Sequence, residues 1–352
     1  MRSISWTHIP LSGIAPSVLD RSSHSLVVVG HKAYLFGGEN VPRTPVDEEL
    51  YIIDLNDGST TTSRSTTRPS PRVGSFLTAH GDALYLWGGR ESRDMTPCDA
   101  SLWVYDIAAD EWTRREAAGE VPEQRSYHCM AVAGERLFLH AGCPAKGRLD
   151  TVHSLPIPPS SSAHWTSHPS APSPGRGGTV LCPLTIPSSG PSRRPVLVRF
   201  GGFAGYELGD TLDIYDPTTA QWTSTSVPGP EARSVHALVP YTSSTDPHLV
   251  ALMLFGERDP APVELGHNGA GKFHEDVWAL RYLPPAEGAG EGEDVARGFS
   301  FVRIPAEGNT PEPRGWFGAG VWREGERERA VVLGGLNGKN ERLGDLWIAE
   351  VK

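Results

Sequence analysis

The chain has 352 residues, a formal net charge of −10 and 38% apolar residues against 21% charged, the balance of a folded protein and not of a disordered one. The negative balance argues against a nucleic-acid backbone or an anionic membrane as partner, and no apolar run reaches the roughly 18 residues a membrane span needs. Cys98, Cys129, Cys143 and Cys182 show no CxxC spacing, and the N-terminus lacks the apolar core of a secretory signal, so buried free thiols and a cytoplasmic location are expected.

In chain order, Ser5-Trp6-Thr7 reads as a short strand standing alone. A recurring unit follows. Arg21-Ser-Ser-His24 leads to an apolar run, then to Ala33-Tyr-Leu-Phe-Gly-Gly38 and Leu50-Tyr-Ile-Ile-Asp-Leu55. Arg72-Val-Gly-Ser75 leads to Leu84-Tyr-Leu-Trp-Gly-Gly89, Leu102-Trp-Val-Tyr-Asp-Ile107 and Trp112. Arg125-Ser-Tyr-His128 leads to Leu137-Phe-Leu-His-Ala-Gly142, then to a degenerate Thr151-Val-His-Ser-Leu155 and to Trp165. Arg176-Gly-Gly-Thr179 leads to Val196-Leu-Val-Arg-Phe-Gly-Gly202, Leu212-Asp-Ile-Tyr-Asp216 and Trp222. Arg233-Ser-Val-His236 leads to Ala251-Leu-Met-Leu-Phe-Gly256 and Val277-Trp-Ala-Leu280. Arg314-Gly-Trp-Phe317 leads to Ala330-Val-Val-Leu-Gly-Gly335 and Leu346-Trp-Ile-Ala349.

Continuous apolar runs suit strands covered on both faces, and the glycines suit tight turns or close backbone approach. A period of about fifty residues with paired glycines is the pattern of a kelch propeller. The expected fold is all-β: a six-bladed kelch β-propeller forming one domain over residues 1–352, with blades starting near Arg21, Arg72, Arg125, Arg176, Arg233 and Arg314. The last copy ends on its third strand, so the N-terminal strand is expected to complete it and close the ring, removing an exposed edge. Thr185–Arg194 and Pro284–Arg297 break the period and read as solvated loops.

Two places carry candidate chemistry. One Arg per blade would gather guanidiniums at one end of the channel, and a guanidinium is a planar, permanently charged, bidentate donor for anions. Arg21, Arg72, Arg125 and Arg314 are the candidates for holding an anionic substrate, with Trp316 as an apolar wall. The same periodicity suits arginines that brace their own blades through loop carbonyls, and the periodic His24, His128 and His236 are expected to brace strands. The second place is the loop after the fifth blade's glycine, where Glu257, Asp259, Glu264 and His267 gather. Carboxylates with one histidine suit Fe(II) or a similar divalent ion with open positions better than zinc.

With Phe36-Gly-Gly-Glu39, Val46-Asp-Glu-Glu-Leu-Tyr51 and Gly266-His267-Asn-Gly-Ala-Gly271 before Asp276-Val-Trp, the chain resembles the plant specifier proteins over essentially its whole length. These are the epithiospecifier, thiocyanate-forming and nitrile-specifier proteins. The resemblance implies Fe(II) held by Glu, Asp and His on one loop, and breakdown of a small sulfur- and nitrogen-containing molecule to nitriles or related products. Glu257 would match the family's Glu and His267 its His; position 261, where the family spacing calls for Asp, is Ala, so Asp259 or Glu264 would stand in. The competing reading is a non-catalytic kelch scaffold that binds a protein partner through its loops, because fold alone does not choose between them.

Overall fold

The computed structural model describes residues 3–116, 118–158, 164–187, 193–243, 245–284 and 294–352; the side chains of Pro16, His267 and Asp294 also lie outside the described set. The apolar runs pair as antiparallel strands in six sheets set around an axis. The first blade is built from Ser25–Val29, Lys32–Phe36, Leu50–Asp54 and Thr60–Thr62, in that order outward. Inner strands beginning at Phe76, Cys129, Cys182 and Ala237 start the next four blades, each of four strands. The last blade takes Gly318–Glu324, Arg327–Asn337 and Arg342–Val351 from the C-terminal end and Ile4–Ile9 from the N-terminal end. Ile4–Ile9 pairs antiparallel with Arg342–Val351, from Ile4 against Val351 to Ile9 against Leu346, which is the closure expected from sequence.

The two interruptions of the period need correction. Strand pairing runs on to Pro187 against Arg193, so Thr185 and Arg194 are sheet residues, and only 188–192 fall outside the described set. Asp294–Arg297 forms one helical turn that buries Ala296 in the apolar cluster between the fourth and fifth blades; 285–293 are not described.

The repeated motif makes the blade-to-blade joints. The second residue after each Arg donates its backbone N–H to its counterpart in the preceding blade, through Ser23, Gly74, Tyr127, Gly178, Val235 and Trp316, at 2.7–3.1 Å, and the ring of six closes on itself. A second closed ring runs from the later glycine of each pair to the next blade's Arg carbonyl, as in Gly38 to Arg72 and Gly335 to Arg21. Gly38 sits at φ +96, and a Cβ there would stand 2.8 Å from the Ser22 carbonyl oxygen, so the joint admits only glycine.

Each motif Arg is buried and donates Nη1 to the carbonyl of the first residue of the glycine pair in its own blade: Gly37, Gly88, Ala141, Gly201, Phe255 and Gly334, at 2.9–3.1 Å. His24, His128 and His236 act as wedges between blades, each ring carbon lying against the first glycine of the preceding blade (Gly334, Gly88 and Gly201). Burial, with the motif Arg beside each ring, pushes His24 and His128 down to about 3 and His236 well below the ordinary imidazole value.

These imidazoles are neutral in the folded state, whereas the unfolded chain protonates them below about pH 6.5. The unfolded state therefore binds more protons between that value and about 3, and stability falls as pH falls. The slope is up to about 1.4 kcal/mol per pH unit for each ring. Buried Glu207 and Glu257, raised to about 7 and about 8, pull the other way above the carboxylate range together with Glu39, but buried His140, His153 and His274 are lowered as the three wedges are and with them outnumber the acids. Denaturant titrations from pH 7 to pH 5 should show a loss of roughly 2 kcal/mol or more. A flat profile would mean that the rings are protonated in the fold.

Candidate functional site

Just past each glycine pair the chain passes the motif of its own blade, and short bridges fix the contact: Ser22 with Glu39, Val73 with Arg90, Ser126 with Cys143, Gly177 with Phe203 and Ser234 with Glu257. The residue after the second glycine is thereby held at the channel mouth in every blade. Glu39, Cys143, Phe203, Glu257 and Leu336 line a cavity of about 340 Å³ there, with Tyr127 and Trp316 from the waist ring in its wall. That volume suits a small ligand. Trp316 holds φ +53, an unusual setting for a bulky residue, and packs edge-on to Phe273 at 6.0 Å.

Two sets of charge face this space. Arg43 and Arg148 line the cavity, and no carboxylate among the described residues pairs with either; Arg148 lies over the Phe203 ring at 4.7 Å. Arg342 lies 3.9 Å from Glu39, whose other oxygen accepts the Arg43 backbone N–H at 2.6 Å. On the facing wall Glu257 is 5% exposed, and its carboxyl meets no donor among the described residues. Both oxygens of Glu207 are buried and make no hydrogen bond of ordinary geometry. Burial, then the Glu207 and Asp259 charges, push Glu257 up to about 8; burial also lifts Glu207 to about 7.

The residues expected from sequence divide. Trp316 and Glu257 line the cavity. Arg21, Arg72, Arg125 and Arg314 do not: their guanidiniums lie in the blade walls, engaged by carbonyls and in two cases by Asp47 and Asp345. The physical reason is that each closes a turn whose carbonyl would otherwise be buried without a donor. Asp259 and Glu264 are exposed, with Asp259 beside Arg258 at 3.3 Å and Lys272 at 3.8 Å. His267 stands in the one-turn helix Gly266–Asn268, and its side chain lies outside the described residues. Among the described residues no three His, Cys, Asp or Glu side chains are grouped to hold a metal, and the His267 side chain lies outside that set.

Glu39, Arg43, Tyr127, Arg148, Glu207 and Arg342 escaped the sequence reading. A signal existed for two of them: Glu39 follows the second glycine of its blade, and Tyr127 is the second residue after its Arg. Those positions vary between blades while the frame around them repeats.

No helix among the described residues is long and apolar enough to cross a membrane. Over 94% of its length the chain is 25% identical to the N-(sulfonatooxy)prop-2-enimidothioate sulfolyase of Thlaspi arvense, covering 92% of that protein. The Rab9 effector protein with kelch motifs from Bos taurus is 33% identical over 32% of this chain and 30% of its own. Host cell factor 2 from Homo sapiens is 32% identical over 40% of this chain and 19% of its own. The solved structure titled "Structure of YjhT" superposes with a TM-score of 0.65 at 12% identity, over 98% of this chain and 99% of that one, and shares its fold. Residues 23–246 match the family described as the KLHDC2/KLHL20/DRC7 Kelch-repeats domain, and with the six-bladed ring and its Arg-braced glycine turns this chain belongs to that kelch-repeat family.

Proposed function

We propose that the channel-mouth cavity takes a small sulfated molecule and promotes its breakdown, in the manner of a sulfolyase. One observation carries the reading: Arg43 and Arg148, both exposed, border a half-open, partly aromatic cavity, and among the described residues neither forms an ion pair with a carboxylate. The likeness to a sulfolyase along nearly the whole chain supports it.

The substrate in that relative's name joins a sulfonatooxy group to nitrogen and a thiolate sulfur to the same carbon. Cleavage of the nitrogen–oxygen bond sends its electron pair out with sulfate. In the nitrile-forming course the carbon–sulfur pair becomes the third carbon–nitrogen bond and sulfur leaves as a neutral atom, so atoms and charge balance. Guanidiniums placed at the sulfonate oxygens stabilise the charge that grows there as the bond breaks. Trp316 and Phe203 give the carbon chain an apolar wall that limits water. Fe(II), which the likeness to specifier proteins implies, enters no step, because Asp259 and Glu264 stand outside the cavity.

The purified protein should release sulfate from N-(sulfonatooxy)prop-2-enimidothioate faster than the uncatalysed background. Arg43→Met and Arg148→Met should each lower kcat/KM by about tenfold or more, the worth of one charge-assisted hydrogen bond. Release at the background rate by the wild type sinks the proposal.

A second reading has its own support. Val41, Tyr206, Val263 and Leu265 are exposed on the same three loops that send Pro42, Phe203 and Ala261 into the cavity. An apolar rim of this kind fits a protein partner seated over the mouth, the scaffold role suggested by relatives named as effectors.

A further inference from the structure

The six positions that follow the glycine pairs are equivalent in the fold and can be compared directly. At three of them stand Cys143, Phe203 and Leu336, with no formal charge in their ordinary states. Two charged ones are satisfied within the protein. Glu39 accepts the Arg43 N–H and lies near Arg342; Arg90 donates to the Ser126 hydroxyl and to the Cys143 and Pro144 carbonyls at 2.7–3.0 Å. Glu257 is the exception. It is buried, it borders the cavity, and no described residue donates to its carboxyl. Near it stands Glu207, whose buried oxygens make no hydrogen bond of ordinary geometry and have only the Ser234 hydroxyl close by.

A buried acid without a donor beside a second one is costly, and proteins leave such groups where something else is to supply the donor. The loop is shaped around this one: a Cβ on Gly271 would lie 2.2 Å from Glu257 Oε1, so glycine there makes room for the carboxyl. Asp259 is two residues further along the same loop and exposed. A bound cation would take the place of the missing donor. An ammonium group suits it, because it donates hydrogen bonds in any direction, and the aromatic Trp316 and Tyr127 border the same cavity.

We propose that Glu257, backed by Glu207, is a cation subsite, and that the natural ligand carries a protonated amine as well as its acidic group. The inference rests on the reading that Arg43 and Arg148 hold the acidic group; it adds to that group an amine that N-(sulfonatooxy)prop-2-enimidothioate lacks, so that compound tests the arginine half alone.

Calorimetry with three probes separates the two readings: 3-aminopropanesulfonate, propanesulfonate and propylamine. The aminosulfonate should bind the wild type about tenfold or more tightly than propanesulfonate. Glu257→Gln should abolish that preference. Glu207→Gln, a second variant that keeps Glu257, should reduce the preference without abolishing it. Equal binding of aminosulfonate and propanesulfonate overturns the cation subsite and leaves the arginine reading standing. Binding of propylamine that depends on Glu257, without binding of propanesulfonate, keeps the subsite and sinks the arginine reading. Failure of both amines to bind overturns the subsite.

Discussion

Removal of residues 1–9 should unfold or aggregate the protein. Ile4–Ile9 is the outer strand of the last blade and the only link that ties the N-terminal end of the described chain into that sheet. It buries Ile4 completely and Trp6 to 8% exposure, with Trp6 stacked on Phe255 at 5.6 Å in a cluster with Leu252, Leu254 and Ala349. Burial of two such side chains stabilises by roughly 3–6 kcal/mol. Domains of this kind have a net stability of about 5–15 kcal/mol, so the loss is of the same order as the whole. The Arg342–Val351 edge left bare would also offer unpaired N–H and C=O groups to another chain. A thermal melt of the truncated protein should start well below that of the full chain and end in precipitate. A truncated protein melting within a degree or two of the full chain would show that the ring does not depend on this strand.

Arg233→Met should cost about 3–5 kcal/mol, because it leaves a buried carboxylate without its partner. Arg233 is 0% exposed, donates to the Phe255 carbonyl and the Glu231 carbonyl, and grips both oxygens of Asp276 at 2.7 and 3.1 Å. Burial alone would raise Asp276, but Arg233 and the Trp278 indole N–H at 2.7 Å outweigh it and hold the carboxyl below its ordinary value. Met fills much of the volume and removes every donor, so Asp276 is left with the indole alone. Denaturant midpoints measure the loss. The double variant Arg233→Met/Asp276→Leu should recover a large part of it, since two apolar groups no longer ask for partners. Little loss in the single variant would mean that Arg233 faces solvent.

The same residue shows why the fold could be read from sequence and the site could not. Arg233 recurs with the glycine pair because a turn carbonyl needs a buried donor in every blade, so periodicity reports the frame. A periodic Arg looks alike in sequence whether it points into the channel or into its own blade. What decides the matter is Asp276, 43 residues further on, and the Phe255 carbonyl, 22 further on, neither at a spacing shared by all six blades. The cavity residues are the converse. Glu257 stands out in the sequence because a long acidic loop follows it, and the loop's Asp259 and Glu264 face solvent. Glu207 and Arg148 sit on connections of unequal length, and only the closed ring brings them to the same mouth as Arg43. Trp316 was visible as the one large aromatic beside a Phe in the motif, and the waist ring of hydrogen bonds is what turns it into the cavity wall.

The measurement that bears most directly on the account is sulfate release by Arg43→Met/Arg148→Met beside the wild type, with thermal melts of both. The account predicts a loss in kcat/KM of about a hundredfold at an unchanged melting temperature, because both arginines line the cavity and neither braces a blade. Unchanged release, or a loss that only follows a fall in melting temperature, would contradict it.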